Sequence, residues 1–413
     1  MLAESRTFPV VIRQKSNEYG NTTLILIWSL FIFLPVESFL NLDLGSAKFR
    51  FVYIAMLSLI VLNLYHLKIK KSVGIVIASV FLASIFSSIN TINFLSWLGG
   101  TIWSTFCLMF FVSFIFMLRK EKVFKLVLNV YSQTVYFWSF VIIGQFILAI
   151  IFPSLASSIV GGFPRVSGPL YEPSFVPVYI GPLIALFYVK KDWSRLGVAS
   201  LAIILCSSRT GWLMLALIYI LLFLFFGEFK KYFFKQTLAV AAFICLVFFL
   251  DVKPVQNYVQ SSTEFVAGAV TLQDQGSTLP RLSSWEYGYE VFLTSPIFGV
   301  GLGNYGAALQ QKGVYIDPAN GIERSATETK TTNLYVEVLA ETGIVGLLAF
   351  LFWLTFPFFF YNKHKNREIS ALFVGWICLI AIFPLIQTWY RPYIWVFASL
   401  LYYMVIYRRK VIA

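Results

Sequence analysis

Charge is scarce in this chain. Only 12% of its 413 residues are Asp, Glu, Lys or Arg, and histidine occurs twice. Soluble globular domains carry about twice that share of charge, so a water-exposed globular surface is excluded. Cysteine is sparse too: Cys107, Cys206, Cys245 and Cys378 stand far apart, with no CxxC spacing. That excludes a zinc ribbon and a disulfide scaffold, and four thiols inside apolar runs read as inert packing residues. The opening stretch MLAESRTFPVVIRQKSNEYG lacks a short apolar core followed by a small-residue cleavage site. The first apolar span is therefore expected to act as its own insertion signal. No internal repeat or low-complexity tract stands out.

What remains is hydrophobic: 59% of residues, including 43 Phe, with a mean hydropathy of +0.78. Apolar runs near the length of a bilayer recur, with Trp and Tyr gathered near their ends. The pattern predicts an all-α polytopic membrane protein of about twelve transmembrane helices. The spans fall at roughly 22–41, 50–67, 73–89, 94–118, 124–152, 173–190, 195–207, 210–227, 236–252, 333–361, 370–388 and 392–407. They divide the chain into an N-terminal bundle of about nine spans (1–252), a large outer loop (253–332), and C-terminal spans with a tail (333–413).

Lysine and arginine orient the bundle. With both termini in the cytoplasm, residues 1–21, HLKIKKS, RKEKVFK, KKDWSR, GEFKKYFFK, NKHKNRE and YRRKVIA hold 22 of the 32 basic residues. The other ten are Lys48, Arg50, Arg165, Arg209, Lys253, Arg281, Lys312, Arg324, Lys330 and Arg391, on the outer side. The net charge of +13 is thus mostly topological and meets anionic lipid headgroups. It is not a nucleic-acid footprint, because no basic face interleaved with stacking aromatics exists in a soluble domain.

The outer side carries the unusual sequence. In SSRTG, Arg209 sits in a tight polar turn between two apolar runs. An arginine cannot shed its proton, and holding it at membrane depth costs about 2.5–3.5 kcal/mol on the lenient insertion scales. It reads either as a snorkelling span-end residue or as an anion ligand, helped by neighbouring hydroxyls such as Thr210 and by a helix-start amide. Arg165 lies in FPRVSGPLYEPSF, a rigid turn, and reads as a surface charge, as the ion-pair partner of Glu172, or as a second anion ligand. In the eighty-residue outer loop, PRLSSWEYGYEVFLTSP predicts a helix, with Pro280 in its first turn and Arg281, Trp285 and Tyr289 recurring at spacing four. Such a helix could lie along the membrane surface. Arg324 follows in GIERSATETK.

Four arginines on one side of a membrane, beside spans, point together to an anionic ligand. Nucleotides are cytoplasmic, so an outer-face enzyme must use a ligand that carries its own energy. A lipid-linked pyrophosphate fits: its tail stays in the bilayer, and arginines stabilise the charge that grows as pyrophosphate leaves. GVGLGNYG (299–306) contains a formal G-x-G-x-x-G, but no strand-turn-helix unit precedes it. It reads instead as a glycine-permitted loop packed closely on the membrane domain. In TTNLYVEVLAETGIVGLLAFLFW (331–353), Glu337 and Glu341 share one helical face. Carboxylates at that depth are either paired structural groups or catalytic ones.

SSRTGW, PRLSSWEYGYEVFLTSPIFGVGLGNYG and TTNLYVEVLAETGIVGLLAF resemble, in order and spacing, the O-antigen polymerase and O-antigen ligase superfamily of bacterial envelope glycosyltransferases. The resemblance covers about 160–350 and implies a GT-C-like bundle with a helical periplasmic loop. It also implies a metal-independent transfer with no cofactor, in the bacterial inner membrane, at a site facing the periplasm. The ligases place a histidine directly before the asparagine of the later motif. Here Thr332 precedes Asn333, and His66 and His364 both fall in predicted cytoplasmic loops. RVSGPLYEPSF also resembles the polymerase branch, so the resemblance favours a polymerase over a ligase.

By that resemblance Arg209 and Arg281 hold the donor pyrophosphate, followed by Arg165 and Arg324, with Thr210, Asn333, Thr332 and Trp285 near the glycan. Glu172, Glu337, Glu328 and Glu323 are the candidates for a base. The implied partners are undecaprenyl-pyrophosphate-linked glycans and membrane lipids, in the company of a chain-length regulator and a flippase. The alternatives are an O-antigen or related glycan ligase and, from another class, a lipid-linked oligosaccharide flippase. Flippases usually lack so large an outer loop and show two related halves.

Overall fold

The computed structural model describes residues 21–36, 41–43, 48–64, 69–160, 163–227, 278–312, 331–361, 366–386 and 390–407. The predicted ninth span, Cys245, both histidines, Arg324, Glu323 and Glu328 lie outside these residues, and of Arg281 only the backbone is described. The described helices are α1 (Asn21–Phe33), α2 (Phe51–Asn63), α3 (Lys71–Phe86), α4 (Phe94–Leu118), α5 (Glu121–Ile151), α6 (Val176–Val189), α7 (Trp193–Leu205), α8 (Arg209–Phe225), α9 (Thr278–Thr294), α10 (Tyr305–Gln311), α11 (Leu334–Thr355), α12 (Arg367–Ile382) and α13 (Pro392–Tyr402).

Among the described residues, five helical stretches are long and apolar enough to cross a membrane: Lys71–Asn90, Phe94–Leu118, Glu121–Ile151, Leu334–Phe360 and Arg367–Leu385. Six shorter apolar helices stand at the positions of α1, α2, α6, α7, α8 and α13. The architecture is that of a helical membrane protein. The face opposite the lysine-rich turns is called outer below.

Helix α6 forms the centre of the bundle. Every residue from Val176 to Tyr188 is buried, and α7, α8 and α12 surround it. VPVYIGPLIALFY can serve there because it is apolar on all sides, with no polar stripe to place. A second packing centre joins α4, α11, α12 and α13 through aromatic rings. The Trp353 ring lies 4.9 Å from that of Trp395 and 5.6 Å from that of Trp376, and Phe111 meets Tyr402 edge-on at 4.9 Å.

Two features depart from the pattern predicted by sequence. The first span is shorter than 22–41, since α1 ends at Phe33, just before Pro35, which has no N–H to continue a helix. Beyond it, β1 (Asn41–Asp43) pairs antiparallel with β2 (Lys48–Arg50). A second hairpin pairs β3 (Ser158–Val160) with β4 (Phe163–Arg165), so the chain is not purely helical. These segments lie between spans, where backbone groups leaving a helix still need partners. The predicted helix is present as α9, where Ser284, Trp285, Gly288 and Val291 face the rest of the protein and Tyr289 is exposed.

Helix α11 breaks at Gly343, whose φ of 65° and ψ of −166° are not helical. In a continuous helix the carbonyls of Ala340 and Glu341 would accept from residues 344 and 345. They accept instead from Val300 N–H at 3.1 Å and Gly301 N–H at 3.0 Å. The displaced N–H groups of Ile344 and Val345 donate to the carbonyls of Pro296 and Ile297 at 2.9 and 3.3 Å. Loop 295–304 thus repairs the break, as membrane-buried backbone requires. Gly299 (φ 73°) makes the reciprocal approach: a Cβ there would collide with the Glu341–Thr342 backbone, and one on Gly343 would collide with Ile297. Leu302 N–H donates to Ser87 Oγ at 3.2 Å and Asn304 Nδ2 to Thr91 Oγ1 at 2.7 Å, fixing the loop to the outer end of α3. The glycines of GVGLGNYG are there for close packing on the membrane domain, as the sequence suggested.

Candidate functional site

Helices α7 and α8 run antiparallel and join through only Cys206, Ser207 and Ser208. Ser207 takes a left-handed conformation (φ 52°), which costs a residue with a Cβ on the order of 1 kcal/mol or more. Its N–H closes α7 on the Ile204 carbonyl at 3.1 Å. Extended Ser208 then caps α8, and Arg209 is the first residue of that helix. Thr210 is buried while Arg209 is exposed. The turn therefore presents a guanidinium beside first-turn N–H groups at the positive end of a helix, an arrangement that favours an anion.

Hairpin β3–β4 brings Arg165 to the same place. Ser157 N–H donates to the Arg165 carbonyl at 2.8 Å, Ser157 and Ser167 hydroxyls pair at 2.9 Å, and Gly168 N–H donates to Gln145 Oε1 of α5 at 2.7 Å. Arg165 Nε is buried without a hydrogen-bond partner among the described residues. Its charge reaches Cys206 in the α7–α8 turn. Glu172 does not pair with it; the carboxylate accepts from Ser174 Oγ at 3.0 Å. The short turn Pro173–Phe175 that follows packs against α8. Above Phe175 lies Arg391, its guanidinium 4.0 Å from the ring centroid and the residue only 7% exposed. Arg165, Glu172, Arg209, Thr210 and Arg391 are thus gathered at the outer ends of α6, α7, α8 and α13.

A second group surrounds the start of α11. Asn333 caps that helix, its Oδ1 accepting from Tyr335 N–H at 3.0 Å and Val336 N–H at 3.3 Å. Trp285 Nε1 donates to Thr332 Oγ1 at 3.2 Å, and Thr332 N–H donates to Ser284 Oγ at 3.1 Å, so α9 is docked on α11. Glu337 and Glu341 are each 1% exposed. Glu341 Oε1 accepts the Tyr305 N–H at 3.3 Å, capping α10, and Tyr305 Oη donates to the Ser284 carbonyl at 3.1 Å. Burial pushes the Tyr305 phenol above its ordinary 10.0; the bond to Ser284 opposes this, and the charges of Glu337 and Glu341 add to the rise.

The two groups are linked through α12. Tyr335 Oη donates to the Ile380 carbonyl near its outer end at 2.9 Å, while α12 also packs on α6 and α8.

Residues 196–351 match the family model described as O-antigen ligase. This match supports the resemblance to the O-antigen polymerase and ligase superfamily. No curated protein matches the sequence. The match to a family of glycan-processing enzymes supports an enzymatic role, and the matched segment encloses Arg209, Thr210, Arg281, Trp285, Arg324, Thr332, Asn333 and Glu337. Arg165, Glu172, Phe175 and Arg391 lie outside it, yet the fold carries them to the Arg209 turn. Sequence reasoning counted Arg391 among the outer cations without placing it at the site. The available signal was its position directly before a proline-initiated span.

Proposed function

We propose that this protein is a polysaccharide repeat-unit polymerase of the bacterial inner membrane, with both termini cytoplasmic and its site facing the periplasm. The donor is a growing glycan on undecaprenyl pyrophosphate, and the acceptor is the non-reducing-end hydroxyl of a lipid-linked repeat unit. Attack of that hydroxyl on the donor's anomeric carbon forms the glycosidic bond and breaks the bond to phosphate, releasing the lipid pyrophosphate. Arg209, Arg165 and Arg281 hold the departing anion, with Arg324 in support. In a site shielded from water such preorganised donors supply most of the acceleration. Glu172, beside the arginines, takes the hydroxyl proton, a contribution typically worth about 10²–10⁴-fold. Glu337, enclosed behind α10, is less accessible to an acceptor. A flippase and a chain-length regulator would supply and limit the substrate.

The observation favouring polymerase over ligase is Thr332. Where the ligases have a histidine, this chain has a hydroxyl already accepting a hydrogen bond from Trp285. Purified protein supplied with lipid-linked repeat units alone is expected to make long lipid-linked glycans. Transfer only in the presence of lipid A core would establish the ligase reading, which the description of the matching family favours.

A further inference from the structure

Arg391 is a cation at a span end that does not snorkel. Long basic side chains in that position normally carry their charge out to water. Here the residue is almost fully buried, and its guanidinium carbon sits over Phe175, 4.0 Å from the ring centroid. Phe175 is itself 1% exposed and closes the turn Pro173–Phe175, whose preceding residue is Glu172 and whose middle residue, Ser174, binds the Glu172 carboxylate. The same turn packs on α8, the helix that begins with Arg209. Arg391 comes from the last span and Phe175 from the sixth, so one cation–π contact ties the C-terminal outer loop to the segment carrying Glu172. Both residues lie outside the segment that matches the superfamily.

We infer that Arg391 is a positioning residue for the anion site: through Phe175 it holds the Glu172–Ser174 turn in register with the Arg209 end of α8. A planar guanidinium suits this work, because it stacks on an aromatic face and keeps edge N–H groups for other acceptors. The inference rests on the reading of the Arg209 turn as a lipid-pyrophosphate site.

The test uses full-length protein in nanodiscs with undecaprenyl pyrophosphate as the probe, measuring its affinity beside KM and kcat for lipid-linked repeat units. Arg391→Gln and Phe175→Leu are each expected to weaken probe binding and raise KM about tenfold, with the double variant no worse than either single one. Phe175→Tyr, which keeps the aromatic face, should retain near wild-type values. Thermal unfolding and the elution profile of each variant exclude loss of fold as the cause. If Phe175→Leu binds as tightly as wild type, or Phe175→Tyr fails as badly as Phe175→Leu, the positioning role is overturned. If wild-type protein does not bind undecaprenyl pyrophosphate, the lipid-pyrophosphate reading falls, and this inference falls with it.

Discussion

Glu341 Oε1 receives the backbone N–H of Tyr305 at 3.3 Å, so a carboxylate buried in the outer part of a spanning helix caps the first turn of a helix in the outer loop. A neutral amide can accept the same bond, whereas a methyl group cannot. Glu341→Gln is therefore expected to fold and retain most activity. Glu341→Ala leaves a buried N–H without its acceptor and should lose about 1–3 kcal/mol. Thermal unfolding in detergent distinguishes the two.

The repaired break in α11 predicts a sharp contrast among glycines. Gly299→Ala and Gly343→Ala place a Cβ against backbone at positive φ, and neither neighbour can move away without breaking the exchanged hydrogen bonds. Each should cost more than about 2 kcal/mol and reduce the yield of folded protein. Gly144, inside α5, has nothing within 4 Å of the place a Cβ would occupy. Gly144→Ala should be neutral or stabilising by up to about 1 kcal/mol. Melting temperatures of the three variants, side by side, check this.

Arg209→Ala should abolish polymer formation while membrane insertion and abundance stay intact. Arg209→Lys should also fail substantially, since an ammonium lacks the two-pronged donor geometry. Gel analysis of the glycan, with immunoblotting of the membrane fraction, reads both. Full-length polymer from Arg209→Ala would refute the assigned role, and full rescue by lysine would return Arg209 to a snorkelling anchor.

Tyr305 gives a pH signature. Its folded-state pKa lies above the ordinary 10.0, mainly through burial, so the folded protein retains a proton that the unfolded chain releases. The resulting stability is present below about pH 10 and is lost as pH rises further. Tyr305→Phe forfeits the bond to Ser284, worth about 1 kcal/mol, but has no phenol to ionise. The wild-type advantage over Tyr305→Phe in midpoint denaturation should therefore shrink above about pH 10.

The helical, membrane-type character of the chain and its five long apolar helices were legible because hydropathy is a local property and membrane length is fixed. Helix α9 and the close-packed role of the glycine loop also followed from short stretches of sequence. The break at Gly343 did not, since a helix that exchanges hydrogen bonds with a distant loop has the same apolar pattern as an unbroken one. Nor did the fate of Glu341: spacing placed it beside Glu337, but only the fold brings Tyr305 to it. Arg391 and Phe175 are more than two hundred residues apart, and nothing in either neighbourhood encodes their contact. The first span was overestimated because apolar residues continue past Pro35, where the helix stops.

The exchanged hydrogen bonds at Gly343 have a consequence for engineering chimeras of this protein. A donor cassette covering 278–312, grafted to alter substrate choice, would arrive with its own residues 296–301 but meet the recipient's residues 340–345. Those two stretches form one hydrogen-bonded unit despite lying on separate segments. Grafts that move them together should insert and assemble, whereas grafts that divide them would leave a transmembrane helix with an open splice.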